Sequence, residues 1–596
     1  MAAALLPETA PRLLTPETLR TAAKQSQGIH LVPLSLRRAI KRYLRDQDKA
    51  HMNRKVLLLS ASFDRAKGTG AELAAAATRG ALLDDPNAPA GAEQRAARWK
   101  VRSAYGDIGL RYREDETVAY VASRMPAIYA ACHRVLREVR GFDQLAVVRN
   151  ELNLFSGAIS CADSSILQVR RRLPEFAPAK VLDFGAGPSS ALWAMRAVWP
   201  KSIEKVNLIE PSKEMQRAGQ SLLDSKLSSR FWLNNVIYTN MRIMLIIIFT
   251  WPILIDLKGL PLIHSYDSIQ DLNRDLEKHE RGHDLVISIS VVALPLLRIV
   301  FLDLQSYALG EIPSLNDRIT IVRQLWDLTS DVLVLLEPGT PQGAKIISQM
   351  RSYILWMEKR KCRKIEKSYS RPPSKTKSIV PHEASLKNGA FVVAPCPHDG
   401  RCPLENSDKY CHFVQRLERT SSQRAYKRSK GVPLRGYEDE KFCYVALRRG
   451  KRPEGAWPLD GMKFETLKER HAKRNLEDLI IDYDDQFPSE EDEEIAVDGG
   501  DSLVPYASDA HELSLFHESE GDEEEEETIR ADLRGGWGRI IYSPMRRGKQ
   551  VQMDVCRSTK RDASEGTFER IVVTQSKNPT LHFQARRSLW GDLWPF

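Results

Sequence analysis

VLDFGAGPSSALWAM, Val181 to Met195, decides the fold. Lys180–Asp183 reads as a strand, glycines follow, and a helix is expected over about Pro188–Val198. A strand that runs through close-set glycines into a helix N-terminus lets the backbone approach a ligand and aims free N–H groups at it. Val206–Glu210 reads as the next strand, so Glu210 in NLIEPS stands where an acid can accept both hydroxyls of a ribose. Asp183, Gly185, Gly187 and Glu210 are therefore the candidate nucleotide-type site. Strand, glycine turn, helix, strand and acid in that order say more than a glycine pair alone. The bland alternative is a tight turn in an α/β sheet with no ligand.

Working outward, strands at Asp284–Ser288 and Asp331–Leu336 alternate with helices at Leu315–Leu328 and Gly343–Lys361, which implies a parallel, doubly wound sheet. A dinucleotide site normally carries a third glycine where Ser190 stands, and here Pro188 follows the second glycine. The D-x-G-x-G-P pattern instead resembles class I methyltransferases, whose ligand is S-adenosylmethionine. No Asn-Pro-Pro-Tyr-type motif and no obvious catalytic cysteine accompanies it, so catalytic residues are unassigned and methyl transfer stays open.

Residues 1–175 read as a helical N-terminal region, with helices over Leu34–Leu44 and Val118–Val139 and a linker near Gly80–Ala92. The apolar fraction of 42% suits globular cores, and 596 residues suggest two or three domains. The net charge of +10 hides an asymmetry. Glu477 to Asp532 holds 23 acidic side chains against one basic, Arg530, a net of −22 that leaves +32 on the rest. So basic a body suggests a nucleic-acid partner, and the acidic block 476–532 should be a disordered loop. The longest apolar run, Met244 to Ile255, is far short of the roughly twenty residues a bilayer needs, so no membrane span is expected. The opening segment lacks the form of a secretory signal; Arg12, Arg20 and Lys24 suit a mitochondrial transit peptide, while Glu8 and Glu17 do not.

Eight cysteines in such a chain make no disulfide scaffold, and three of them crowd CPHDGRCPL…YCHF at Cys396, Cys402 and Cys411. Thiols that close, after the strand GAFVVAP, point to metal ligation. Zinc and a [4Fe–4S] cluster both take four ligands. Cys443 in KFCYVAL and Cys556 in MDVCRS are candidates for the fourth, and His398 or His412 could also serve zinc. Spacing alone does not separate the two metals. Beyond the acidic block, GRIIYSP, QVQMDVC and ERIVVTQS read as strands of a small C-terminal β-module over 533–596.

VLDFGAGPSSALWA, SYALGEIPSLNDRITIVRQLWDLT (306–329), LLEPGTPQG (335–343), CPHDGRCPL…YCHFVQRLERT and WGDLWP (590–595) together resemble the methyltransferase-like mitochondrial small-ribosomal-subunit assembly factors. The resemblance runs from about residue 110 to the C-terminus, outside the acidic loop. It implies an α/β, class I methyltransferase (Rossmann-like) sheet domain over 176–380 that binds S-adenosylmethionine, and a cysteine-cluster region over 381–475. It further implies a [4Fe–4S] cluster, residence in the mitochondrial matrix, and work on the small ribosomal subunit and its rRNA. In the family the last cysteine ligand sits in a strand like VQMDVC, which selects Cys556 over Cys443. An active rRNA methyltransferase and a zinc-ribbon nucleic-acid-binding protein are the alternative functions.

Two segments depart from the family, about 225–255 and 289–305. Both are apolar, and the text flows naturally across each if it is removed. They are expected to be translated intron or gene-model error.

Overall fold

The structure, a computed structural model, describes residues 13–14, 16–26, 28–47, 56, 114–140, 176–223, 261–289, 315–369, 389–405, 407, 409–426, 435–452, 463–464 and 537–596. The linker 80–92, the segments 225–255 and 290–305, and the acidic block 476–532 lie outside the described residues.

In chain order the strands are β1 (Leu13–Leu14), β2 (Lys180–Phe184), β3 (Lys205–Ile209), β4 (Leu262–Tyr266), β5 (His283–Ile289), β6 (Thr329–Pro338), β7 (Ala390–Ala394), β8 (Phe413–Glu418), β9 (Tyr437–Arg449), β10 (Lys463–Phe464), β11 (Gly538–Ile540), β12 (Met545–Arg547), β13 (Gln550–Ser558), β14 (Gly566–Thr574) and β15 (Leu593–Trp594). The helices used below are α1 (Pro16–Ala23), α2 (Leu34–Arg45), α3 (Glu114–Ser123), α4 (Met125–Arg140), α5 (Ser190–Val198), α6 (Lys213–Leu223), α7 (Ile269–Asp275), α8 (Leu315–Leu328), α9 (Pro341–Tyr369), α10 (Ser421–Tyr426) and α11 (Pro579–Arg587).

Strands β4-β3-β2-β5-β6 are parallel, and β9 then joins antiparallel to β6, with β7 and β8 antiparallel to β9. The chain steps outward from β2 to β4 and returns to β5, so the order reverses between β2 and β5. This is the Rossmann-like, class I methyltransferase type of sheet that the glycine turn implies. Each central strand is buried on both faces, and residues alternate between two cores. Val181, Leu285, Ile287, Val332 and Val334 face one core, and Leu182, Val286, Leu333 and Leu335 the other. Helices α2 to α6 cover the first face and α7 to α9 the second. Buried parallel strands need this two-sided cover because both rows of side chains are apolar. Among the described residues no helix is long and apolar enough to cross a membrane.

Three expectations change. The single helix over Val118–Val139 is two, α3 and α4, because Pro126 lacks an N–H and fits only a helix's first turn. Arg124 at the break is held by Glu440 on β9 at 2.7 Å. The boundary at residue 380 falls inside the sheet, since β7, β8 and β9 of the 381–475 region complete it. The N-terminal region also divides: α2 to α4 cover the sheet, whereas Leu19 and Ala23 of α1 pack in the core of the terminal module.

That module is a five-stranded sheet, β12-β13-β11-β15 with β14 on β13, closed by α11. Its seam to the sheet domain is polar and buried. Arg539 of β11 donates to Glu138 of α4 at 2.9 Å, and Tyr444 of β9 donates to the same carboxylate at 2.8 Å. Asp592 accepts the backbone N–H groups of Gln25 and Ser26 and so ties the chain after α1 to the C-terminus.

Candidate cofactor and metal sites

β2 delivers Asp183 to its carboxyl end, and the turn beyond it folds sharply. Gly185 and Gly187 have φ of 74° and 53°, a region that favours glycine, and Ser189 follows at 64°. The Gly185 and Ala186 N–H groups donate to Ile209 O at 2.9 and 3.2 Å, pinning the turn across the end of β3. Glu210, at the end of β3, accepts from Gly187 N at 2.8 Å and from Ser212 N at 2.9 Å. Its carboxylate thus braces the glycine turn, a task that sequence reading did not assign to it. Space in front of Gly187 is open: an added Cβ would meet no atom within 4 Å.

Asp183 is fully buried, and among the described residues neither carboxylate oxygen has a hydrogen-bond partner. Burial pushes its pKa up to about 8, with the Glu210 charge adding to the rise. Burial also raises Glu210 to about 7, against the pull of the Ser212 and Gly187 N–H groups. Two buried carboxyls therefore stand at adjacent strand ends beside the order reversal, the place where open α/β sheets bind ligands. An orphaned buried carboxylate and an open glycine cradle fit a ligand that brings hydrogen-bond donors and positive charge, as S-adenosylmethionine does. The four residues named from sequence, Asp183, Gly185, Gly187 and Glu210, are brought together. Sequence reading missed Tyr120 of α3, buried beside Ser190 at the start of α5; its helix lies far back in the chain and carries no motif.

The second site is the loop after β7. Cys396, Cys402, Cys411 and Cys556 line one pocket with Leu404, Phe413, Ile541 and Arg539. The loop reaches Cys556 by docking on the β13–β14 hairpin. Asp399 N donates to Ala563 O at 2.7 Å, and the His398 ring meets Gly566. Asp399 in turn accepts from Val392 N at 2.7 Å and from Arg452 at 2.8 Å, fixing the loop to β7. None of the four is paired in a disulfide. Burial raises Cys402 to about 11, with Cys396 adding, and it holds Cys411 and Cys556 well above the ordinary thiol value. Crowded, desolvated thiols of that kind give up their protons to solvent readily only when a bound cation takes the protons' place, and four sulfurs around one apolar pocket fit a thiolate-ligated group. Among the described residues, however, no three His, Cys, Asp or Glu side chains form a recognisable metal-ion site.

Cys443 sits outside that pocket lining, buried in β9, where its thiol donates to Cys411 O at 3.2 Å. His398 is inside the site, its Nε2 3.3 Å from Cys556 Sγ. His412 is stacked on Tyr410 at 4.6 Å and set edge-on to Trp590 at 4.4 Å. The basic run after Cys411 is less free than its composition suggests. Arg416 pairs with Asp439 at 2.7 Å, Arg419 with Glu438 at 3.4 Å, and Arg424 with Glu418 at 3.4 Å.

With both sites in view, comparison with known proteins is decisive. The model of the family described as mitochondrial small ribosomal subunit Rsm22 matches residues 151–258, 263–369, 372–463 and 502–595, across sheet, cysteine loop and terminal module alike. The chain belongs to the Rsm22 family. It is 25% identical over 351 residues to the human mitochondrial ribosome assembly protein METTL17, covering 59% of this chain and 52% of that one. It is 27% identical over 271 residues to the Saccharomyces cerevisiae mitochondrial ribosome assembly protein RSM22, covering 44% and 38%. The chain thus spans about half the length of the human relative and less of the yeast one. Among solved structures it resembles a magnesium protoporphyrin IX methyltransferase from Synechocystis PCC 6803 with bound SAH, at 12% identity and a TM-score of 0.18, covering 52% of this chain and 96% of that one. That score carries no weight beside the strand order itself.

Proposed function

We propose that this Rsm22-family protein is an assembly factor of the mitochondrial small ribosomal subunit, working in the matrix against the subunit's rRNA. On this reading it binds S-adenosylmethionine at Asp183, Gly185, Gly187 and Glu210, and a [4Fe–4S] cluster on Cys396, Cys402, Cys411 and Cys556. The observation that carries it is the convergence of three thiols from the β7 loop with a fourth from β13 in one pocket, within a chain of this family. Bound there, a cluster would staple the terminal module to the sheet domain. S-adenosylmethionine, when bound, supplies an electrophilic methyl group. The chain's own part is to hold that ligand: Glu210 to accept hydroxyl donors and the glycine turn to let the backbone close on it.

The test is anaerobic isolation of the full-length protein from mitochondria, with iron, sulfide, zinc and co-purifying RNA measured on one sample. About four irons and four sulfides per chain are expected for a four-thiolate cubane, together with small-subunit rRNA. Stoichiometric zinc without sulfide overturns the cluster assignment. Loss of one rRNA methyl mark in Glu210→Ala, with subunit association intact and translation halted, would make the protein a working methyltransferase instead.

A further inference from the structure

Arg351 lies on α9, a helix of the sheet domain, and is only 3% exposed. Its Nη2 donates to His398 O at 2.8 Å, while among the described residues its Nε and Nη1 have no hydrogen-bond partner. A buried guanidinium with unspent donors is costly unless an anion faces it. The nearby charges are already committed elsewhere. Arg539, the arginine that lines the cysteine pocket, is held by Glu138, and Asp399 is taken by Arg452 and Val392 N. Through His398, whose carbonyl it binds and whose ring stands 3.3 Å from Cys556 Sγ, Arg351 is set beside the cysteine site, and its charge reaches His398, Cys402 and Cys556.

His398 approaches the same sulfur from the other side. It is fully buried, its Nε2 is 3.3 Å from Cys556 Sγ, and the ring is wedged against Gly566 of the β14 strand. Once Cys556 is a thiolate, the sulfur is only an acceptor, and the imidazole N–H is the donor beside it.

We propose that Arg351 and His398 form the outer shell of the four-thiolate centre, Arg351 as its counter-charge and His398 as hydrogen-bond donor to Cys556 Sγ, and that they raise the reduction potential of the cluster held there. This rests on the iron–sulfur reading above. A [4Fe–4S] core with four thiolates is an anion, and uptake of one electron adds a further negative charge. A fixed cation and a hydrogen bond to sulfur stabilise the more negative state, which moves the potential upward. The arrangement also makes α9, the helix that follows the β6 strand end, a direct contact between the sheet domain and the metal centre.

The experiment is a one-electron titration of the anaerobically purified full-length protein with dithionite, followed by paramagnetic resonance of the reduced cluster, after iron and sulfide have been measured. Arg351→Gln is expected to keep its iron and sulfide and to shift the potential negative of wild type. Arg351→Lys, which keeps the charge, should stay nearer wild type, and His398→Phe should shift the potential negative by removing the N–H donor. A fully loaded Arg351→Gln protein at the wild-type potential overturns this inference and leaves the cluster reading standing. If Arg351→Gln does not fold or load, Arg351→Lys decides: a potential close to wild type supports the counter-charge, and a shift as large as that of His398→Phe overturns it. Zinc without sulfide in the wild-type protein overturns both readings.

Discussion

Gly566 packs against the His398 imidazole, so close that a Cβ added to Gly566 would stand 2.2 Å from ring Cδ2 and Nε2. The contact, with the Asp399 N–H to Ala563 O hydrogen bond, joins the cysteine loop of the sheet domain to the hairpin of the terminal module that carries Cys556. Gly566→Ala must displace either the ring or the hairpin. Overpacking of this kind costs about 1–3 kcal/mol. Metal content and thermal unfolding of the purified variant check this: both should fall together, and a fully loaded protein of wild-type stability would show that the hairpin yields freely.

The buried pair Arg539–Glu138 is the other seam. Removing one partner leaves an uncompensated charge in the interior, which costs about 3–5 kcal/mol. Glu138→Leu and Arg539→Met should each destabilise by that order in denaturant unfolding. The double replacement Glu138→Leu with Arg539→Met should recover part of the loss. If the double variant loses the sum of both singles, the two side chains act independently.

Ligand affinity should depend on pH. Asp183 and Glu210 have folded-state pKa values raised to about 8 and about 7, so the folded protein binds protons more tightly than the unfolded chain does. Their contribution to stability is fully present below the ordinary carboxylate range and is lost as pH rises through about 7 to 8. The neighbouring Cys132 thiol is raised well above its ordinary value by burial and stays neutral there. A cationic sulfonium ligand favours the ionised carboxylates, so S-adenosylmethionine should bind more tightly as pH climbs through that window. Titration calorimetry reads this directly, and Asp183→Asn should flatten the profile. A wild-type profile that is already flat would remove the carboxylates from ligand binding.

The two sites should separate functionally. Glu210→Ala removes the acceptor for ligand hydroxyls and should weaken S-adenosylmethionine binding roughly ten- to a hundredfold, from about 1.5–3 kcal/mol for hydrogen bonds to a charged group. Gly187→Arg should abolish it by filling the open space before the turn. Cys402→Ser should cost the metal and the docking of the terminal module, since ligation supplies folding free energy to such sites. Co-sedimentation with the small ribosomal subunit should therefore fail for Cys402→Ser and survive in Glu210→Ala; the reverse pattern would assign association to the nucleotide-type site.

The thiol outside the pocket gives a sharper contrast. Cys443→Ser keeps a hydroxyl that can donate to Cys411 O, and the metal should remain bound. Loss of iron in that variant, measured beside Cys556→Ser, would make Cys443 the fourth ligand. Binding to rRNA should weaken steeply with salt as counterions return to phosphate. Replacements at Arg416, Arg419 and Arg424, whose charges already face carboxylates, should leave that slope nearly unchanged.

The sequence by itself determined the parts whose signal is local. Largely apolar strands such as VLDF and DVLVLL, the glycines between β2 and α5, and the acid at the end of β3 each lie within a few neighbours, so spacing exposes them. Local too is the crowding of Cys396, Cys402 and Cys411. Tertiary structure alone decided what joins these parts. That β7 and β9 close the sheet depends on register across a long cysteine-bearing excursion, and their continuous apolar runs would equally suit a separate module. Cys556 and His398 meet from 158 residues apart, and Arg351 reaches them from a helix with no motif. Contacts of that range are set by docking of whole elements, through Gly566, Ala563 and the Arg539–Glu138 pair. A chain records such docking only as scattered single residues, none of which is distinctive until the fold brings it to its partner.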